Sequence, residues 1–436
     1  MGAGVHMGIV MSTESREGSR AIYFPRGEAG MAHRSARSPD GTSVLVVEMD
    51  GGEWLQCRLI PLDGSSTGHA VGPLDGQCTT AAWSPDGAWM YFSSNSGGRY
   101  HIWRQRYPDG RPEQITFDPT EQEGTTITPD GRHLITSMGL QQASVVLREP
   151  EGERPLTSEV FAMMPTMMPG GERMFYLIRQ GSRGFITGEL WSMSPATGER
   201  ARILPGHLMA NYSISADGRR VVFASTGGEA GNGIWIADLD RRTPPRQLTR
   251  GPEFRAFFGA PGEVVYFDGS RRRLYRMNDD GTDVRALAPD PIVNLLTVSP
   301  DGRWAVVLAP DPGRSTKIDF VSLAGERTVS VCCAMGFGPD RRLAPLYNWS
   351  ADGKSLFVAL QSFPLGTAKT VVLPYRSGVP FDVQWPSGFK SEDDVVANPG
   401  ARVINEANVF PASKPGEYLR WTRSTQSNLY QIALPK

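Results

Sequence analysis

Several features that identify enzymes are missing from this chain. Cysteine is scarce, with four residues in 436 and no CxxC pair, which argues against structural zinc. The six histidines are dispersed, and no two stand at metal-ligand spacing. No G-x-S-x-G, H-E-x-x-H or G-x-x-x-x-G-K-[ST] motif occurs, which excludes the common hydrolase, metalloprotease and P-loop sites. We therefore predict no catalytic residue, no cofactor and no metal.

Long apolar runs and an excess of one charge are also missing. No stretch of about 18 apolar residues occurs, so we expect no direct insertion into a membrane. Because 45 basic residues stand against 46 acidic ones, we expect no nucleic-acid partner. Residues 1–20 lack the basic and apolar regions of a secretory signal and are predicted to be a disordered lead-in. The default localisation is therefore cytoplasmic.

What the chain has in abundance is one short turn. The forms SPDG, TPDG and SADG, with the eroded forms MPGG and GAPG, occur eight times, and the last glycines follow one another at intervals of 40 to 51 residues. The turns begin at Ser38, Ser84, Thr128, Met168, Ser215, Gly259, Ser299 and Ser350. A repeat of forty-odd residues built on strands is typical of propeller blades.

The turn residues are predicted to be structural. Proline fixes φ for the second position, aspartate bonds to the local backbone, and glycine takes the position that needs φ > 0. The aspartates and glycines concerned are Asp40, Gly41, Asp86, Gly87, Asp130, Gly131, Asp217, Gly218, Asp301, Gly302, Asp352 and Gly353. Calcium loops need a denser set of carboxylates than these turns offer.

Between the turns the sequence alternates as short strands do. His101–Arg106, for example, alternates polar with apolar residues as a half-buried strand does, and no segment has a persuasive helical period. We predict an all-β fold: a single β-propeller of four-stranded blades over residues 21–436, with eight blades favoured and seven or nine possible. The N-terminal strand Ala21–Pro25 is expected to join the C-terminal strands Tyr418–Arg423 and Asn428–Leu434 and close the ring.

One group of residues is a candidate binding site. His33 precedes the first turn and would open an innermost strand, so His33, Arg34 and Arg37 are candidates for binding at the mouth of the channel. The alternative is that His33 has only a local hydrogen-bonding role.

The four cysteines offer two interpretations. Cys57 and Cys78 fall where neighbouring units meet, so a disulfide between them is one alternative. The favoured alternative is that all four cysteines, including Cys332 and Cys333, are ordinary buried thiols.

The repeat resembles the PD40, or TolB-type, WD40-like repeat, which is clearest in Trp83–Gly87 (WSPDG). Met31–Arg34, Val44–Met49, Trp54–Leu59 and the ending Asn428–Pro435 also look like the C-terminal propeller of bacterial receptor-like serine/threonine kinases. The kinase domain of that family is absent, so no ATP site carries over. If the start of the chain is shortened and a membrane-anchored kinase precedes it, the propeller is expected outside the cytoplasm.

These observations favour a non-catalytic sensor or interaction propeller. We expect a protein or peptide partner and a monomeric chain. The chain would then be a freestanding or shortened relative of the kinase-linked propellers. One alternative is a TolB-like envelope accessory protein. Another is an enzyme with its active site at the channel mouth.

Overall fold

The structure is a computed structural model, and it describes residues 6–16, 18–27, 30–50, 53–117, 120–158, 161–179, 187–228, 231–240, 242–251, 253–287, 291–311, 314–324, 328–332, 347–360, 369–385, 388–389 and 391–435. Strands dominate these residues, as predicted. The two helices among them are short, α1 (Phe381–Gln384) and α2 (Glu392–Val396). Both lie in the stretch after the last turn, where the repeat is least regular. The all-β prediction is confirmed.

The chain divides into two compact units. The small unit contains the described residues of 1–141 and 424–436, and the large unit contains those of 142–180 and 185–423. Two long strands, β13 (His133–Glu149) and β36 (Tyr418–Ala433), each contribute residues to both units. The two units are described separately below.

The small unit begins with a two-stranded sheet, followed by two repeat sheets and part of a third. The strands are β1 (Ile9–Met11), β2 (Arg20–Tyr23), β3 (Met31–Arg37), β4 (Ser43–Asp50), β5 (Glu53–Trp54), β6 (Arg58–Pro61), β7 (His69–Ala70), β8 (Cys78–Trp83), β9 (Trp89–Ser94), β10 (His101–Arg106), β11 (Glu113–Gln114) and β12 (Glu121–Ile127). Sheet order is β3-β4-β6-β7, with β5 on β4, and then β11-β10-β9-β8. β12 pairs with the first part of β13, which pairs with β36.

Apolar side chains join successive sheets of the small unit. Ile22 and Tyr23 of β2 pack on Val44 and Val46 of β4. The other face of the β3–β7 sheet packs on the β8–β11 sheet through a cluster of Leu45, Val47, Cys57, Leu59, Val71, Cys78, Trp83, Met90 and Phe92. The indole Nε1 of Trp83 donates to Ala36 O at 2.9 Å, one repeat length earlier in the chain.

A disulfide links these two sheets. Cys57, just before β6, is bonded to Cys78 at the start of β8, with 5.4 Å between their Cα atoms. The favoured interpretation of both residues as ordinary thiols is wrong. Sheet packing brings the two positions together, because Cys78 N also donates to Leu55 O at 2.8 Å. Cys333 lies outside the described residues.

The large unit contains five further groups of strands. They are β14 (Gly152–Pro155), β15 (Ala162–Met167), β16 (Met174–Arg179), β17 (Gly188–Met193), β18 (Arg200–Arg202), β19 (His207–Ile214), β20 (Arg220–Gly228), β21 (Gly233–Asp238), β22 (Arg246–Gln247), β23 (Glu253–Phe258), β24 (Glu263–Asp268), β25 (Arg273–Asn278), β26 (Arg285–Ala286), β27 (Asn294–Val298), β28 (Trp304–Asp311), β29 (Arg314–Ser322), β30 (Thr328–Cys332), β31 (Tyr347–Trp349), β32 (Ser355–Leu360), β33 (Lys369–Pro374), β34 (Arg402–Ile404) and β35 (Val409–Pro411). The consecutive groups of four strands from β15 to β34 are antiparallel meanders, and one pairing, Gly188 on β17 with Met209 on β19, links the first two groups.

A sixth sheet of the large unit is assembled from distant parts of the chain. Its order is β35, β36, β13 and β14. Val409 pairs with Arg420, Ser144 Oγ lies 2.8 Å from Thr422 Oγ1, and Val146 pairs with Pro155. The residues of β36 in this sheet are therefore far in sequence from the residues of β13 with which they pair.

Each neighbouring pair of sheets in the large unit shares buried apolar side chains. The assembled sheet meets the β15–β18 sheet through Phe161 and Trp421, and it meets the β31–β34 sheet through Phe357 and Val409. Further apolar clusters join the sheet that begins with β15 to the one that begins with β19, and in the same way β19 to β23, β23 to β27, and β27 to β31. Every sheet in the described part of this unit therefore has a packed neighbour on both faces.

Strand pairing differs from the prediction at both ends of the chain. Ala21–Pro25 was expected to pair with the C-terminal strands, but β2 pairs with β1. Residues 9–11, assigned to a disordered lead-in, form β1 because Ile9, Val10 and Met11 offer a nearby apolar partner strand. The two predicted C-terminal strands are a single strand, β36.

Candidate interaction surface

The three predicted binding residues lie on β3 in the small unit, and all are exposed. The β3–β4 pairing shifts register between Ala32 and Arg34, which leaves His33 at a bulge. The His33 ring lies 5.1 Å from the ring of Trp54 on β5. Burial, followed by the neighbouring Arg34 charge, lowers the pKa of His33. The imidazole is therefore predominantly neutral at pH 7 and can both donate and accept a hydrogen bond.

Trp54 is the residue that sequence reasoning missed. It stands on a two-residue strand opposite Met49, so its contact with His33 depends on pairing across β4. Arg37 is not aimed at His33. Its Nη2 lies 2.5 Å from where a Cβ would stand on Gly41, so the guanidinium lies over its own turn. The structure thus brings together His33 and Trp54, with Arg34 adjacent in the chain.

The repeated turns share one hydrogen-bond pattern. In the turn at Ser215, the hydroxyl donates to Asp217 Oδ1 at 2.6 Å, Arg219 N donates to the same oxygen at 3.1 Å, and Arg220 N donates to the Ser215 hydroxyl at 2.9 Å. The hydroxyl bond, followed by the backbone bond, holds the pKa of Asp217 below its usual range. The same serine or threonine bond reaches Asp40, Asp86, Asp130, Asp301 and Asp352.

The turn glycines have the backbone that these turns require. Their φ values lie between 66° and 75° at Gly41, Gly87, Gly131, Gly218, Gly302 and Gly353. Each carboxylate accepts its serine or threonine hydroxyl bond on Oδ1 within its own turn.

Exposed apolar side chains concentrate in the small unit. Of twelve large hydrophobic residues that are exposed among the described residues, nine lie in this unit and three in the large one. Those of the small unit are Met7, Val10, Met11, Phe24, Leu55, Leu74, Phe117, Leu429 and Tyr430. Leu74 is 88% exposed and Phe117 is 76% exposed. The three in the large unit are all valines: Val284, Val383 and Val403.

The C-terminal part of β36 adds an open strand edge. Residues 424–433 pair with β13 on one side, and no strand in the described part of the chain pairs with their other edge. The segment STQSNLYQIA contains no charge, proline or glycine. Natural sheets usually protect such an edge with a charge, a proline or a covering element.

The described residues include neither a candidate metal cluster nor a membrane-spanning helix. No group of three His, Cys, Asp or Glu side chains among them could hold a metal ion. No helix in the described ranges has both the length and the apolar content to cross a membrane. The small unit exposes an aromatic–imidazole pair, a guanidinium group, apolar side chains and a strand edge.

Comparison with known proteins gives a family match over part of the chain. Residues 27–207 match the family model for the TolB beta propeller domain, PD40. No curated protein matches. The PD40 and TolB resemblance is therefore supported for this region.

Solved structures with similar folds share little sequence. TolB from Acinetobacter baumannii is 15% identical, over 69% of this chain and 76% of that one, with a TM-score of 0.40. The putative TolB from Agrobacterium tumefaciens is 18% identical over 64% and 86%, with a TM-score of 0.25. An oligogalacturonate lyase from Vibrio parahaemolyticus is 14% identical over 85% and 99%, with a TM-score of 0.31.

Proposed function

We propose that the chain is a protein-interaction module that binds a partner protein through its small unit. The observation that carries this proposal is the number of exposed apolar side chains there, nine of the twelve among the described residues, because exposed apolar side chains are available for burial against a partner. The kinase-linked resemblance belongs to the same proposal: the chain is a relative of propellers that serve as sensor or interaction platforms.

The edge of β36 supports the same function. An uncharged strand with one free edge and exposed Leu429 and Tyr430 is suited to pairing with an extended segment of a partner. Backbone hydrogen bonds would supply affinity along residues 424–433, and the alternating side chains would supply specificity. His33, Arg34 and Trp54 on β3 and β5 form a second polar and aromatic contact area of the small unit.

The large unit acts as a scaffold in this proposal. We infer that its six sheets form a closed propeller ring, sealed by the sheet of β35, β36, β13 and β14. Apolar packing on both faces of that sheet supports closure. We propose six blades for this unit, whereas the sequence favoured eight blades, with seven or nine possible, in a single ring. Closure leaves only short edges, which gives a rigid support for loops.

The disulfide favours a location outside the cytoplasm. Disulfides persist in oxidising compartments and are rare in the cytosol, so the Cys57–Cys78 bond supports an extracytoplasmic chain over the cytoplasmic default. Together with the PD40 match, it also favours a second candidate function, that of a TolB-like accessory protein of the cell envelope.

The experiment uses the purified full chain. A partner is first captured by cross-linking in envelope extracts of the native cell and then purified, and its affinity is measured by calorimetry. We expect the double variant Leu74→Ser with Phe117→Ser to bind at least about tenfold more weakly, since each exposed apolar side chain contributes roughly 1.5–3 kcal/mol when buried. Val383→Ser in the large unit is the matched control and should leave affinity unchanged.

The outcomes separate the candidates. A double variant that binds as tightly as the wild type would refute binding through these side chains of the small unit. A kinase partner supports the kinase-linked proposal, whereas a membrane-anchored lipoprotein or other envelope protein supports the accessory role. Turnover of a small substrate by the purified chain would instead establish an enzyme.

A further inference from the structure

One repeat sheet of the small unit lacks its fourth strand. Within that unit the sheet consists of β12, the first part of β13 and residues 424–433 of β36. In the other repeat sheets of the described chain, a third strand pairs with a short fourth strand, as β10 does with β11 and β21 with β22. Residues 424–433 occupy the third position, and no described strand occupies the fourth position beside them.

A backbone hydrogen bond establishes the register of this part of β36. Leu434 N donates to Arg132 O at 2.9 Å, and this acceptor directly follows a turn glycine. The same bond ends two complete third strands: Tyr107 N to Ala88 O at 2.9 Å and Leu239 N to Arg219 O at 2.8 Å. Counting five residues back from each donor aligns Leu429 with Ile102 on β10 and Ile234 on β21. Backbone groups alternate between the two edges of a strand, so Leu429 presents its N–H and C=O to the open edge.

The position of Leu429 is filled in the complete sheets. There, the carbonyl of a third-strand residue accepts a bond from the apolar residue that directly follows the fourth strand. The donor and acceptor pairs are Ile115 and Ile102 at 2.9 Å, Ile203 and Leu190 at 2.8 Å, Leu248 and Ile234 at 2.7 Å, and Leu287 and Leu274 at 2.9 Å. Each acceptor, like Leu429, precedes an aromatic residue: Trp103, Trp191, Trp235 and Tyr275. All four acceptors are 0% exposed, whereas Leu429 is 77% exposed.

A threonine completes this contact in several sheets. Ile102 N donates to Thr116 Oγ1 at 2.8 Å, and Ile234 N donates to Thr249 Oγ1 at 2.9 Å. The same two bonds recur at Val145 of β13, with Leu156 N at 2.9 Å and Thr157 Oγ1 at 2.8 Å. In each case the threonine directly follows the apolar donor. An isoleucine or leucine followed by threonine thus satisfies both backbone groups of one third-strand residue.

The apolar residue of this pair also matches the side chain of Leu429. Trp103 pairs with Gln114, so in this antiparallel register Ile115 lies opposite Ile102. Directly opposed side chains of an antiparallel pair lie on the same face and contact each other. An isoleucine or leucine added beside β36 in this register would cover Leu429. A second copy of β36 does not supply the pattern, because STQSNLYQIA contains no leucine or isoleucine followed by threonine.

We propose that the open edge of β36 binds an extended segment of a partner protein in which leucine or isoleucine is followed by threonine. The segment adds antiparallel as the fourth strand: Leu429 O accepts from the N–H of the apolar residue, and Leu429 N donates to the threonine hydroxyl. This inference rests on the proposed function, since it specifies the segment that the small unit recognises.

The test uses the purified full chain and a labelled, end-capped heptapeptide, RPEQITF, which has the sequence of residues 111–117. Fluorescence anisotropy measures binding, and we expect a dissociation constant below about 1 mM. Methylation of the isoleucine nitrogen should weaken binding at least about tenfold, because it removes the N–H that Leu429 O accepts. Replacing the peptide threonine by valine should weaken it about threefold to tenfold, because the hydroxyl is lost. Methylation of the glutamine nitrogen is the matched control, since that N–H points away from β36, and should leave binding unchanged.

A protein variant tests the same edge. Leu429→Pro removes the N–H that donates to the threonine hydroxyl, and proline is tolerated on the open side of an edge strand. We expect this variant to lose peptide binding at least about tenfold, while hydrogen exchange shows that β36 stays paired with β13. The peptide comparisons use unaltered protein, so they decide the proposal even if this variant does not fold.

The failure of this inference is distinguishable from failure of the proposed function. If the captured partner depends on Leu74 and Phe117 but the heptapeptide does not bind the wild type, only the strand-edge proposal is refuted. Equal binding of the parent and isoleucine-methylated peptides would refute the register. A wild-type dimer in sedimentation velocity that Leu429→Pro dissociates would show that a second copy occupies the edge, and would overturn the proposal.

Discussion

The small and large units use the same repeat in different ways. Both contain the Ser/Thr-x-Asp-Gly turn with the same internal hydrogen bonds, as at Asp86 and Asp217. In the large unit, every sheet has packed neighbours on both faces. In the small unit, the sheets are joined by a disulfide, and apolar side chains and one strand edge are left exposed.

The difference teaches what the repeat does and does not encode. A single four-stranded sheet cannot bury both of its faces, so its stability depends on neighbouring sheets. Where neighbours are present on both sides, the repeat produces a continuous apolar core. In the small unit a disulfide also links two of the sheets, and exposed apolar side chains are available for a partner.

The largest expected effect is that of truncating a core aromatic residue in either unit. Phe223 in the large unit is fully buried, and its ring centroid lies 5.6 Å from that of His207 and 6.5 Å from that of Trp235. Phe92 is the fully buried counterpart in the small unit. We expect Phe223→Ala and Phe92→Ala each to cost about 3–5 kcal/mol. Hydrogen exchange read by mass spectrometry should detect loss of protection through the large unit for Phe223→Ala and in the small unit for Phe92→Ala.

The conservative variants Phe223→Leu and Phe92→Leu serve as controls and should lose less. If Phe92→Ala removed protection from the sheets of the large unit as strongly as from its own unit, the two units would not unfold separately, and the comparison would break.

Loss of the disulfide is expected to have the next largest effect. The Cys57–Cys78 bond closes a chain separation of 21 residues, which corresponds to about 3 kcal/mol in the chain-entropy model. Replacing both cysteines by serine should lower the midpoint of small-unit unfolding and leave protection of the large unit unchanged. Calorimetry and hydrogen exchange measure the two effects.

Reductant provides the control for this prediction. It should destabilise the wild type to about the level of the double serine variant and leave that variant unaffected. A wild type insensitive to reductant would contradict a stabilising role for the bond.

The turn repeat made much of the fold predictable. Its glycines located the strands so closely that β10 has the predicted bounds, His101–Arg106. Turn chemistry is local, and a four-residue pattern contains it. The course of β13 was not predictable, because one continuous strand of 17 residues changes its neighbours along its length. The alternation of apolar and polar residues along a strand does not indicate which distant strand pairs with each part of it.

The candidate sites were predictable only in part. His33 was found because it precedes a turn, whereas its contact with Trp54 depends on pairing across β4.

The smallest expected effect is that of removing a turn aspartate, and it should be equal in the two units. Asp86 and Asp217 each accept a hydroxyl and a backbone N–H, so their turns should not contribute to the difference between units. We expect Asp86→Ala and Asp217→Ala each to cost about 0.5–1 kcal/mol at pH 7, since both carboxylates are exposed and solvent screens their charge. The serine hydroxyl bond, followed by the backbone bond, lowers the pKa of both groups in the folded state.

The sign of the pH dependence follows from this lowering. A carboxyl whose pKa is lower in the folded than in the unfolded chain stabilises the fold above about pH 4, and the stabilisation is lost as the pH falls through the folded-state pKa. The gap between wild type and each alanine variant should therefore narrow on acidification from pH 7 to pH 3, measured by denaturant unfolding. Pro85→Ala, which keeps the carboxylate, should show no such narrowing. A cost confined to one unit, or a gap that widens in acid, would mean that the turns themselves differ between the two units.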